Sequence, residues 1–297
     1  MARRPHTGPD GLVVVDKPAG WTSHDVVAKS RGLLGTRKVG HAGTLDPDAT
    51  GVLLLGVGRA TKLLRFLSPL GKSYVGEVVL GTETSTLDAA GEVTATHEMG
   101  SITLDDVRAA AAGFVGEIEQ VPPMVSAVKV GGRRLHELAR QGIEVERDAR
   151  PVTIHALEVA PGSAGEAEVF TLAVTCSSGT YVRTLAADLG TALGGGAHLR
   201  NLRRTAVGPF TLDDAVPLEG VDPERVRPML DAVRHLHAVA VDDARAADVR
   251  VGKVLERADL GVEGDGPWAV IAPDGALLAV YEPFRDTTTK PSLVIAP

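Results

Sequence analysis

The sequence predicts an α+β fold: one large mixed domain followed by a small all-β domain. Three observations carry this. At 297 residues, the chain has room for one large domain and a small one. Short apolar runs with strand character are interleaved with amphipathic helical stretches as far as about residue 210. Beyond residue 236, five short β runs follow one another, which reads as a small barrel. A hydrophobic content of 44% and a mean hydropathy of +0.08 fit a folded globular chain.

Taken in order, residues 1–11 are polar, contain Pro and Gly, and are expected to be disordered. Residues 12–16 read as a strand and residues 17–20 (Lys-Pro-Ala-Gly) as a turn. Thr22 or Ser23 caps a helix with Asp25 favourably in its first turn. Val26, Val27, Ser30, Leu33 and Leu34 share one face of that helix, and Gly35 ends it. Residues 40–51 (GHAGTLDPDATG) then pack three glycines, a proline, a histidine and two carboxylates into one run. Neither a helix nor a regular strand is expected there, because glycine supplies unusual backbone angles and Pro47 pushes Asp46 toward an extended conformation. The apolar residues 52–55 that follow read as a buried strand, which would hold a shaped loop firmly. By spacing alone, Asp46-Pro47-Asp48 is either a turn initiator or a catalytic loop. The nucleotide-binding patterns G-x-x-x-x-G-K-[ST] and G-x-G-x-x-G after a strand are absent.

Ala60, Leu63, Leu64 and Leu67 mark a second helix, and residues 73–81 a strand containing Tyr74. A hydroxyl-rich loop follows at 81–91, then a helix through Leu104, Val107 and Ala111. Residues 121–150 form an insertion with a Gly131-Gly132 turn, a helix at 133–141 and three arginines, Arg133, Arg134 and Arg140. The sheet restarts at Arg150-Pro151. Residues 169–176 alternate as a strand, Leu185 and Leu189 mark a helix, and residues 200–205 form a short basic strand. Residues 213–236 look like a Pro-rich acidic linker with a short helix. The last β runs are expected at 239–241, 250–255, 268–271, 277–281 and 293–295.

The net charge of −7 is unevenly spread. Residues 205–297 carry 9 Lys and Arg against 16 Asp and Glu, whereas residues 1–204 hold 22 of each. Within residues 28–72, eight cations face only Asp46 and Asp48. That basic excess would draw a phosphate backbone toward the carboxylate loop, although charge runs are usually just a solvated surface. Cys176, the single cysteine, excludes an intrachain disulfide and reads as a small buried hydrophobe. No apolar run approaches the ~20 residues a membrane span needs. Residues 12–15 are too short for a signal-peptide core, so a cytoplasmic protein is expected.

The run G-H-A-G-T-L-D-P-x-A-T-G-V-L closely resembles the catalytic motif of the bacterial tRNA pseudouridine-55 synthases, the TruB family of pseudouridine synthases. The D-K-P-x-G-x-T-S segment near the start and C-S-x-G-T-Y-[IV]-R at 176–183 resemble two further motifs of that family. The resemblance covers about residues 12–210. It implies a pseudouridine-synthase fold: a mixed, largely antiparallel sheet flanked by helices, with a catalytic domain over 12–236, a flexible thumb at about 121–150 and a PUA-like barrel at 237–297. It implies Asp46 as the catalytic nucleophile, Arg183 as its ion-pair partner, Tyr74 as the ring that stacks on the target base, Tyr181 as a nucleotide contact and Leu202 as a wall of the uridine pocket. Read from composition alone, Tyr74 and Leu202 are core residues. His41 fits the residue that occupies the stack a flipped base vacates, or a satisfied loop histidine. Lys17 touches phosphate or packs its turn, and the hydroxyls at 81–91 contact phosphate or bond one another.

The activity implied is isomerisation of uridine to pseudouridine at position 55 in the T-arm of tRNA. The steps are base flipping, aspartate-dependent cleavage of the glycosidic bond, base rotation and C–C bond formation. No group leaves and no redox change occurs, so no cofactor and no metal is expected. Arg183 is expected to hold the Asp46 pKa down. The partner is a T-arm stem-loop, with no membrane, and the protein is expected to be a monomer. A non-catalytic RNA-binding or tRNA-folding module and, more weakly, a hydrolase using Asp46 and His41 are the competing readings.

Overall fold

The computed structural model describes residues 8–126, 129–139, 141–162, 166 and 168–295. The large domain is built from β1 (Gly11–Lys17), α1 (Ser23–Leu33), β2 (Val39–Ala42), β3 (Thr50–Val57), β4 (Lys72–Leu80), α2 (Leu104–Ala112), β5 (Gly116–Gln120), β6 (Arg150–Pro161), β7 (Val169–Cys176), α3 (Val182–Ala192) and β8 (Ala197–Val207). The strands form one sheet in the order β1-β3-β8-β4-β7-β6-β5, with Val216–Pro217 outside β1 and β2 on β3. Among the described strands of this sheet, β1 with Val216–Pro217 and β3 with β8 pair in parallel and the rest antiparallel. The sheet is therefore mixed and largely antiparallel, as the family resemblance implies. α2 and α3 cover β4, β6, β7 and β8 through Val107, Leu185 and Leu189, while α1 buries Val26 and Val27 against β1 and β3.

Thr22 caps α1 through a capping box: its hydroxyl accepts from Asp25 N–H and the Asp25 carboxylate accepts from Thr22 N–H. The glycine-rich stretch is more regular than its composition implies. Residues 40–42 lie in β2, antiparallel to β3 with His41 opposite Leu55, and Thr50 and Gly51 already belong to β3. One edge of β3 is shared by β2 and β8, so its backbone groups find partners at both ends. The irregular segment narrows to residues 43–49. The helix expected around Leu64 is a 3-10 turn, Gly58–Lys62, followed by one α turn, Leu64–Leu67, with Ala60, Leu63 and Leu67 buried as read.

The expected disorder at 1–11 falls on residues outside those described, except at 8–11. There, Asp10 accepts from Arg59 and Gly11 opens β1. Residues 213–236 are no free linker. They run as short 3-10 turns and bury Leu218, Val221, Ala232 and Val233 in the core. Their acidic residues cap and pair: Asp214 binds Arg227 and Arg234, and Asp222 caps Glu224 N–H.

The small domain holds β9 (His237–Ala240), α4 (Asp243–Arg250), β10 (Leu255–Glu256), β11 (Trp268–Ile271), β12 (Leu277–Phe284) and β13 (Thr288–Val294), with sheet order β9-β11-β12-β13-β10. The strand expected at 250–255 begins only at Leu255, and the end of α4 and a turn take its place before that. Asp242 caps α4, while Val251 and Val254, which suggested a strand, are 73% and 51% exposed. Ala269, Leu277 and Val280 of this sheet share a core with Leu12, Leu54 and Phe210 of the large domain. Among the described residues no helix is long and apolar enough to cross a membrane.

Candidate active site

Residues 43–49 are clamped from behind. Lys17, fully buried, donates its ammonium to the carbonyls of Pro18 (2.9 Å), Trp21 (2.7 Å) and Pro47 (2.8 Å). Gly20 N–H also donates to Pro47 O, at 3.0 Å. Ser23 at the start of α1 accepts from Leu45 N–H at 2.9 Å and donates to Leu45 O at 3.2 Å. Lys17 therefore packs the turn and loop, which is the structural one of its two expected roles. Burial brings its pKa down to about 8.

This frame points Asp46 at Arg183, which is separated from it by 137 positions in the chain. Arg183 Nε lies 3.0 Å from one Asp46 oxygen and Nη2 lies 3.3 Å from the other, a two-pronged contact. The remaining donors of Arg183 reach Asp88 (3.3 Å), Thr86 O (2.9 Å) and Val125 O (2.9 Å). Its side chain is 5% exposed, whereas that of Asp46 keeps 40%. Burial pushes the Asp46 carboxyl above its ordinary value, and Arg183 opposes this only in part, with Asp88 adding to the rise. The guanidinium does pull this pKa down, as expected, but it does not bring it to or below the ordinary value. Desolvation outweighs the ion pair, and the result is a more basic carboxylate.

Asp46 and Arg183 share a pocket of about 330 Å³ with Tyr74, Tyr181, Leu202 and two cations, Lys72 and Arg204. That volume lies in the roughly 300–1,000 Å³ range of small-ligand sites. Tyr74 on β4 and Arg204 on β8 are cross-strand partners, and the guanidinium lies against the phenol. Burial raises the Tyr74 pKa, with Arg204 pulling the other way. Arg204 is 1% exposed and donates to Val52 O (2.7 Å), Gly43 O (2.9 Å) and Thr44 O (3.4 Å), so it braces the same loop as Lys17. Gly51 permits this. Its φ is +102°, and a Cβ there would stand 2.1 Å from Arg204 O. Tyr181 is positioned by Gln120 of β5, whose side chain accepts from Tyr181 N–H at 2.9 Å and donates to Tyr181 O at 3.3 Å.

Of the six residues singled out from the sequence, five line this pocket. His41 does not. It stands edge-on to His24 of α1, ring centroids 5.3 Å apart, and burial brings its pKa down to about 4, so it is neutral at neutral pH. The hydroxyls at 81–91 bond within their own loop. Thr86 donates to the Asp88 carboxylate (2.5 Å) and Thr84 to Asp88 O (2.7 Å), which presents Asp88 to Arg183. Of the three thumb arginines, Arg140 lies outside the described residues, and Arg133 donates to Gln141 at 2.6 Å.

Lys72, Asp88, Gln120 and Arg204 are the site residues that sequence reasoning missed. Asp88 sat in view within a loop read as hydroxyls, and Arg204 within a strand read as basic. Of the eight cations at 28–72, Lys72 is buried in the pocket and Arg59 is tied to Asp10, while Lys29, Arg31, Arg37, Lys38, Lys62 and Arg65 are exposed.

Three family models match the chain: TruB family pseudouridylate synthase, N-terminal domain, over residues 31–182; the tRNA pseudouridylate synthase B C-terminal domain over 183–232; and tRNA pseudouridine synthase II, C terminal, over 236–296. The tRNA pseudouridine synthase B of Arthrobacter sp. (strain FB24) is 48% identical over 97% of this chain and 97% of its own length. That of Streptomyces coelicolor is 48% identical over 94% and 95%. Among solved structures, a Cbf5-Nop10-Gar1 complex contains a chain with TM-score 0.75 and 28% identity, covering 97% of this chain and 85% of that one. An H/ACA ribonucleoprotein bound to a substrate RNA containing 2′-deoxyuridine gives TM-score 0.73 and 25% identity, with the same coverage.

Proposed function

Because the chain belongs to the TruB family of pseudouridylate synthases, isomerases that act on tRNA, we propose that its target is the uridine at position 55 of the T-arm and that the pocket around Asp46 performs the isomerisation. The observation that carries this reading is the Asp46–Arg183 pair on the wall of a pocket that also holds Tyr74.

The target uridine leaves its stack at a cost of a few kcal/mol. Stacking on Tyr74 returns about 1–3 kcal/mol of that. His41 takes the place the base vacated, a role that needs it beside the pocket and not in its wall. Tyr181 contacts the bound nucleotide and Leu202 walls the base. Asp46 acts on the sugar, by addition to C1′ or by taking the C2′ proton. In either route the N1–C1′ bond breaks with its electron pair on the ring. The base turns and C5 bonds to C1′ as the Asp46–C1′ bond breaks in the first route or the proton returns to C2′ in the second; the C5 proton leaves and N1 gains one. Arg183 fixes the carboxylate's direction: its two N–H donors, one to each oxygen, favour the ionised form of Asp46. The exposed cations at 29–65 meet RNA phosphate, and shape recognition of a stem-loop suits a protein with 3% aromatic residues. The protein acts as a monomer.

The test is position-resolved mapping of pseudouridine in an unmodified tRNA transcript after incubation with the protein. One pseudouridine, at position 55, is expected. Modification elsewhere with the T-arm untouched contradicts the assignment.

A further inference from the structure

Heterolysis of the N1–C1′ bond makes the departing base a uracil anion, its charge spread over N1 and the ring carbonyl oxygens. This is so whichever way Asp46 acts. An anion formed away from bulk water is stabilised by donors already aimed at it. Two of the three pocket cations are committed elsewhere. Arg183 is held by Asp46, Asp88 and two carbonyls, and Arg204 by three carbonyls behind the loop.

Lys72 is different. Its side chain enters the pocket from the first residue of β4, and the residue is 7% exposed. Among the described residues its ammonium donates to one acceptor, Ser68 O at 2.6 Å, which leaves two N–H groups. Among the described residues, the charged or titratable groups that act on it are Arg204 and Cys176, and no carboxylate is among them. A buried ammonium with spare donors suits a developing anion. We propose that Lys72 is a catalytic residue: its ammonium donates to a carbonyl oxygen of the departing uracil and stabilises the anion while the base turns, until C5 bonds C1′ and N1 takes up a proton. Burial and Arg204 bring its pKa to about 8, which leaves it largely protonated at neutral pH. This rests on the reading of the pocket as a uridine-isomerising site.

The experiment is single-turnover conversion of a T-arm stem-loop by the wild type, Lys72→Met and Lys72→Arg, with stem-loop affinity measured alongside. Lys72→Met is expected to slow conversion by about 10²–10³-fold, as for loss of one anion-stabilising donor. Affinity should change by no more than about threefold, and Lys72→Arg should recover at least about a tenth of the rate. With 4-thiouridine at the target, whose base is the more stable anion, the Lys72→Met penalty should shrink by about tenfold. An equal penalty on both substrates overturns the proposal in favour of a structural role. Weakened binding with an unchanged rate overturns it in favour of a phosphate clamp. A wild type that leaves the stem-loop unconverted overturns the parent reading as well.

Should Lys72→Met fail to fold, the pH profiles of the wild type and Lys72→Arg decide. The wild-type rate should fall above about pH 8, and arginine, which keeps its proton, should extend the plateau. Lys17, also at about 8, is present in both proteins, so an identical basic limb assigns the loss to it and overturns the proposal.

Discussion

Asp46 is pulled two ways. Burial raises its pKa, Arg183 lowers it, and the balance lies above the ordinary 3.8. In the proposed mechanism the ionised carboxylate is the working form, so activity should be lost as pH falls through this raised value, and the acid limb of kcat/KM should lie above pH 3.8. Arg183→Gln removes the main lowering contribution and leaves Asp46 facing Asp88. The acid limb should then move to higher pH, with activity at neutral pH down about 100-fold or more and partly restored as pH rises. A pH–rate profile of the variant checks this, and an unmoved limb contradicts it. At this scale Asp46, Arg183 and Tyr74 were legible because each sits in a motif. Asp88, Gln120 and Lys72 were not, because their roles exist only once β4, β5 and the 81–91 loop converge on α3.

The decisive element is the loop at 43–49, held by Lys17 from the end of β1, by Ser23 from α1 and by Arg204 from β8. Lys17→Met removes the shared donor of three part-buried carbonyls, of which Pro47 O keeps only Gly20 N–H. It should cost at least about 1–3 kcal/mol of stability, read from the denaturant midpoint, and slow turnover as well. Gly51→Ala forces a side chain onto Arg204 O at a positive φ, and it should destabilise by more than about 1 kcal/mol in the same measurement. Strand and helix positions were largely readable from apolar periodicity. The departures have local causes. Residues 40–42 become a strand because the edge of β3 needs partners, which composition cannot show. Residues 250–255 were misread because two exposed valines mimic a β run.

Across the whole molecule, the two domains share apolar contacts: Ala269, Leu277 and Val280 pack with Leu12 and Phe210, and Arg65 reaches Ser292 O at 2.6 Å. Removing residues 237–297 should therefore lower the thermal midpoint of what remains, through exposed core. An unchanged midpoint contradicts this. Six exposed cations lie at 29–65 in a chain of net charge −7. Stem-loop affinity should fall by about tenfold or more between roughly 50 and 200 mM salt, because bound phosphates release counterions. A flat salt response contradicts a phosphate-binding role for that surface. The two-part organisation was visible in the β runs beyond residue 236. Its shared core was not, because an acidic Pro-rich stretch reads as a linker when its buried Leu218, Val221 and Val233 have no visible partners.

The most direct measurement is turnover of a T-arm stem-loop by Asp46→Asn, with affinity for the same stem-loop determined in parallel. Conversion should fall by at least about a thousandfold while affinity stays within about threefold of the wild type. Conversion within about tenfold of the wild type would contradict a carboxylate mechanism at Asp46.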